Sequence, residues 1–113
     1  MCSLSVLGII TNEVIKAAGE SLGDKLDKII LYGSYARKDY DADSDIDIMI
    51  LADIPREECW KERLKISNLT GWLDLKYDVL ISLHVTDCTT FYKFLRVEPF
   101  YQNVLRDGVI LSA

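Results

Sequence analysis

The residues with the clearest chemical potential are Gly33-Ser34-Tyr35-Ala36-Arg37 and, after six intervening residues, Ser44-Asp45-Ile46-Asp47. Asp45 and Asp47 lie two apart in a stretch that alternates like a strand. Both carboxylates therefore point to one face, with Cα atoms about 7 Å apart. Two carboxylates this close raise each other's pKa unless a cation sits between them. A hard divalent ion fits, because Mg²⁺ takes oxygen ligands and often uses only one or two carboxylates plus phosphate oxygens. The Gly33-Ser34 step falls where a strand turns into a helix. Glycine lets backbone approach a ligand closely, and a helix N-terminus offers free N–H groups to an anion. Ser34 adds a hydroxyl, and Arg37, three residues on, shares its helical face. An anion site beside a metal site is what phosphoryl or nucleotidyl transfer requires.

The elements that position these residues read off the apolar spacing. Val6, Leu7, Ile10, Val14, Ile15, Ala18 and Leu22 recur at helical intervals, with Gly23 as the stop. Lys28 to Tyr32 reads as a short buried strand. A short helix follows from Ser34 to about Lys38, then an acidic loop from Asp39 to Ser44. Asp45 to Leu51 reads as a central strand, with Ile46, Ile48 and Ile50 on one face and the carboxylates on the other. Pro55 suits a first helical turn. The helix after it is expected to run to about Leu73, weakened by Gly71 and burying Trp60, Leu64, Leu69 and Trp72 or Leu73. Tyr77 to Val85 reads as a strand with Asp78, Leu80, Ser82 and His84 on one side. Thr89 to Asp107 reads as helix interrupted at Pro99 and capped by Gly108, and Val109 to Leu111 as a last short strand. Alternating helices and strands predict an α/β (α+β) fold, a small mixed sheet with helices packed against it.

Composition narrows the function classes. The chain has 113 residues, half of them hydrophobic, which suits one domain over 1–113 with a core that needs no disulfides. Cys2, Cys59 and Cys88 show no zinc spacing and read as free thiols in a reducing compartment. No signal peptide and no membrane span is visible, so a cytoplasmic location is expected. The net charge of −5, with scattered basic residues, argues against a long nucleic acid partner. The lone His84 cannot build a zinc site. The acids of the loop from Asp39 to Ser44 read as solvated, and that loop lacks the glycine and distal glutamate of a calcium loop.

The run from Gly33 to Asp47 resembles the Gly-Ser-x-Ala-Arg-Gly…Ser-Asp-x-Asp signature of the DNA polymerase beta-like nucleotidyltransferase superfamily. Gly33, Ser34, Ala36, Arg37, Ser44, Asp45 and Asp47 match it, and the length and element order are similar to the minimal nucleotidyltransferases (the MntA type of antitoxin). Lys38 stands where the family usually has glycine. If the backbone there is left-handed, lysine costs about 1 kcal/mol.

The resemblance implies the nucleotidyltransferase fold and a site in which Asp45 and Asp47 bind metal and triphosphate. It implies contacts to the nucleotide from Gly33, Ser34, Arg37 and Ser44. Asp78 is expected to be the third carboxylate on the later strand, as catalytic base or second-metal ligand. It implies two Mg²⁺ ions, ATP as substrate and a hydroxyl acceptor that receives AMP. With no second domain to cradle the acceptor, a partner protein or another subunit of a homo-oligomer is expected to supply it. Similar proteins act as antitoxins beside a helical HEPN-type toxin, some by adding AMP to a tyrosine. Two further readings stand beside this one: a small-molecule nucleotidyltransferase acting on an aminoglycoside-like alcohol, and a non-catalytic subunit that neutralises its partner by contact.

Overall fold

The computed structural model describes residues 3–112; Cys2 lies outside them. Helix α1 (Leu4–Leu22) opens on Ser3, whose hydroxyl accepts the Val6 N–H, and ends at Gly23 with a positive φ of 57°. A 3₁₀ turn leads into β1 (Leu26–Tyr32), α2 (Gly33–Arg37) and β2 (Ile46–Ala52). A second 3₁₀ turn after Pro55 starts α3 (Cys59–Tyr77), which is followed by β3 (Ile81–Asp87), α4 (Cys88–Phe94), α5 (Pro99–Asp107) and β4 (Val109–Ser112).

The four strands form one mixed sheet in the order β3-β2-β1-β4. β1 is antiparallel to β2 and to β4, whereas β2 and β3 run parallel, joined by α3. The crossover is the usual solution, since parallel neighbours need a long connection. Alternation along β1 and β2 splits the core. Ile29, Leu31, Ile46, Ile48 and Ile50 face α1 and α3 and meet Ile10, Val14, Ala18, Ile66 and Leu73. Ile30, Tyr32, Met49 and Leu51 face the other way and meet Phe91 of α4 and Val104 of α5. Both sheet faces are thus covered, as a strand such as β2, apolar on both sides, demands.

Most expected elements are present. The segment around α3 is the exception. Gly71 does not weaken the helix into ending, and α3 continues to Tyr77 because Ile66, Thr70 and Leu73 anchor it on both sides of the glycine. Tertiary burial outweighs the roughly 1 kcal/mol cost of an internal glycine. Of the residues expected to be buried only Leu73 is; Trp60, Leu64, Leu69 and Trp72 are exposed, and Cys59 and Ile66 take their places. The strand expected from Tyr77 begins instead at Ile81. Tyr77 closes α3, and Asp78 turns the chain in the left-handed region with φ 52°. Among the described residues no helix is long and apolar enough to cross a membrane. Cys59 is a buried free thiol and Cys88 a half-buried one.

Candidate active site

The site begins at the junction of β1 and β2. Tyr32, the last residue of β1, pairs in register with Asp47. Gly33 follows with φ 73°, and a Cβ there would collide with the Asp47 carboxylate and lie 3.1 Å from its Cγ. Glycine is thus required twice over, for the left-handed backbone and for the close approach. The turn sets Ser34 and Arg37 on α2 beside Asp47; all of these line a cavity of about 350 Å³ closed by Tyr32 and by Phe100, Asn103 and Asp107 of α5.

Asp47 is half-buried, and its pKa is raised, first by burial and then by the negative charge of Asp45. His84 and Arg37 pull in the opposite direction. Tyr32 is buried, and burial together with the charge on Asp47 pushes its phenol up to about 12, so it stays a neutral hydroxyl at physiological pH. Arg37 is exposed and also pairs with Asp39 at 3.1 Å. Structural pairing and presence at the cavity therefore coexist in one side chain.

Asp45 just precedes β2 and is exposed. It lines a different cavity, of about 270 Å³, with Ser44, Asp78 and Tyr35. Ser44 is engaged in its own loop: its hydroxyl accepts the Asp41 N–H at 2.9 Å and donates to the Asp41 carboxylate at 3.2 Å. Ser44 lines Asp45's cavity and is absent from the one that Ser34 and Arg37 share with Asp47. Lys38 does adopt the left-handed conformation, with φ 65° and ψ 26°. The lysine therefore sits where glycine is favoured, and the α2 cap forms nonetheless.

Asp78 is not on a strand. It caps α3 and shares the cavity of Asp45 rather than that of Asp47. The strand positions level with Asp47 and Met49 are Ser82 and His84. Among the described residues no three His, Cys, Asp or Glu side chains gather as a metal set. The strand placement expected for Asp78 is therefore corrected to a helix cap, in the cavity of Asp45 and outside that of Asp47. Tyr32, Phe100 and Asn103 also line the cavity of Asp47, and the signature marks none of them. Tyr32 was within reach, since it directly precedes Gly33; the α5 residues arrive only through the packing of α5 on β1.

Residues 12–111 match the nucleotidyltransferase domain family, and the chain belongs to it. Two proteins of Methanocaldococcus jannaschii are similar along the sequence. One, named Putative protein adenylyltransferase MJ0141, is 47% identical over 73 residues, 65% of this chain and 72% of its own length. The other, Putative protein adenylyltransferase MJ0604, is 36% identical over 99 residues, 88% of this chain and 91% of its own. Among solved structures, a toxin–antitoxin crystallised with AMP-PNP superposes with a TM-score of 0.55 at 27% identity, covering 89% of this chain and 71% of that one. A minimal nucleotidyltransferase, described as putative, shares the fold at a TM-score of 0.56 and 17% identity, covering 96% of this chain and 95% of that one.

Proposed function

We propose that this nucleotidyltransferase uses Mg²⁺ and ATP to attach AMP to a hydroxyl of a partner protein. The observation that carries the reading is Asp47 lying over Gly33 in the cavity that Ser34 and Arg37 also line, with Asp45 close enough to raise its pKa. The donor set fits a hard divalent ion, because two carboxylates that repel each other are relieved by a cation between them. Once bound, Mg²⁺ would neutralise phosphate charge and orient the triphosphate. The chain's own groups do the rest. Asp45 and Asp47 would hold the ion at the strand head. The open backbone at Gly33 leaves room beside Asp47, and Ser34 and Arg37, which line the same cavity, would face the triphosphate. The acceptor oxygen bonds to the α-phosphorus, the bond from that phosphorus to the bridging oxygen breaks, pyrophosphate leaves, and the acceptor's proton passes to solvent water.

The acceptor is assigned to a protein because both M. jannaschii relatives carry that activity in their names. A toxin–antitoxin pairing is supported by the toxin–antitoxin structure with AMP-PNP; a helical HEPN-type toxin as the partner rests on the resemblance of the Gly33–Asp47 signature alone. Asp78 stands at the cap of α3, in the cavity of Asp45 and outside that of Asp47, and the proposed transfer does not call on it. The test is incubation with α-labelled ATP, Mg²⁺ and the product of the adjacent gene. Label should appear on that protein and vanish with Asp45→Ala or Asp47→Ala. No label, or label that survives both substitutions, would overturn the reading.

A further inference from the structure

β3 is an end strand of the sheet, so one of its two sides has no neighbouring strand. The phase of its backbone is fixed by one bond: the Ile46 N–H donates to the Leu80 carbonyl at 2.9 Å. Alternation then turns the backbone groups of Ser82, His84 and Thr86 toward β2, and those of Ile81, Leu83, Val85 and Asp87 outward. The outward N–H of Ile81 is taken by the Asp74 carboxylate at 3.2 Å. Among the described residues no such group covers the N–H of Leu83 or Val85.

Two cavities follow this edge. One, of about 310 Å³, is lined by the consecutive residues 80–84 and by Arg63 and Ser67 of α3. The other, of about 390 Å³, is lined by residues 84–87 with Arg56, Trp60 and Arg63. Consecutive strand residues point to alternate faces, so a hollow lined by all of them runs along the backbone edge. Arg63 and His84 belong to both hollows, which makes one groove along the strand.

The groove also carries a charge. Arg56 and Arg63 are exposed, and among the described residues neither forms an ion pair. The acid in the groove, Asp87, is buried and capping α4 through the Thr90 N–H. On a chain with net charge −5 this is a local basic strip. We infer that the open edge of β3 docks an extended, acidic segment of a partner protein, which pairs with the Leu83 and Val85 backbone and sets its carboxylates on Arg56 and Arg63. Main-chain bonds along an edge supply affinity and the flanking side chains supply selection; guanidinium–carboxylate pairs suit the second task. Trp60, 57% exposed, offers an apolar wall. Ser82 is level with Asp47 in the β2–β3 register, so a segment leaving the groove at its Leu80 end arrives beside the carboxylates. Its role as an acceptor tether rests on the function proposed above; the docking itself does not.

The test measures binding without ATP, so that its failure is distinct from failure of transfer. A fluorescent random copolymer of glutamate and tyrosine is titrated with the full chain, and a lysine–tyrosine copolymer serves as control. The acidic copolymer should bind, the basic one should not, and Arg56→Glu with Arg63→Glu should weaken binding by about tenfold or more. Val85→Pro, tolerated at an edge whose N–H faces outward, should weaken it similarly while the circular dichroism spectrum stays unchanged. Amide shifts on binding should centre on residues 82–86. Equal binding of both copolymers, indifference to the arginine substitutions, or shifts centred on the exposed Trp72 and Leu75 of α3 would overturn the proposal. So would a wild-type dimer that Val85→Pro converts to monomer, because the edge would then pair with a second copy.

Discussion

Asp45 and Asp47 stand two residues apart at the head of one strand, yet their surroundings differ. Asp47 is half-buried, pressed onto Gly33 and walled by Tyr32 and α5, and its pKa is raised. Asp45 is exposed and opens on the acidic loop and the cap of α3. Burial makes the charge on Asp47 costly, which is the kind of perturbation that clusters at functional sites. The exposed partner raises the negative potential with little burial cost of its own. The pair thus joins a half-buried carboxylate held against Gly33 to an exposed one.

Asp47→Asn should abolish nucleotidyl transfer, by about a thousandfold or more, in a radiolabel assay; Asp45→Asn should follow it closely if both hold the ion. Gly33→Ala should cost on the order of a hundredfold, because the new methyl displaces Asp47 and the backbone there has a positive φ. Asp78→Asn should change the rate by less than about threefold, as expected for a left-handed cap that asparagine also accepts. A loss as large as that of Asp47→Asn would restore position 78 to the catalytic set.

Stability sharpens the same contrast. The folded pKa of Asp47 lies above its ordinary value of 3.8, so the native state keeps this proton to higher pH than the unfolded chain. Stability therefore falls as pH rises from near 3.8 through the raised value, and the ionised group remains a cost at neutral pH. Asp47→Asn should accordingly raise Tm by a few degrees at pH 7 without metal, an effect that fades below pH 4 in a thermal melt. The smallest expected change is at Lys38, where glycine should gain at most about 1 kcal/mol by relieving the left-handed lysine, read from a urea titration.

How much of this was legible in the sequence varies along the chain. From β1 to β2 local signals agree: apolar alternation, a glycine at the turn and carboxylates at the strand head all specify one geometry. From α3 to β3 they conflict. Apolar residues ring α3, so Trp60, Leu64 and Trp72 looked as fit for the core as Ile66 and Leu73, and only packing against α1 and the sheet selects between them. Asp78 was misplaced for a related reason. Tyr77 to Val85 has strand-like alternation, but the last turn of α3 and the left-handed backbone at Asp78 consume its first residues, and Asp74 bonds the Ile81 N–H where the strand begins. Tyr32 lay next to the signature and needed only the alternation of β1 to be placed. Asn103 and Phe100 reach the cavity through tertiary packing, which no spacing records.

The most direct test of the paired-carboxylate site is paramagnetic broadening of backbone amide signals by substoichiometric Mn²⁺ in the presence of a non-hydrolysable ATP analogue. Signals of Gly33, Ser34 and residues 45–48 should disappear first, and Asp45→Asn with Asp47→Asn should preserve them. Broadening centred on Asp41 and Asp43, or broadening unchanged in the double variant, would contradict the account.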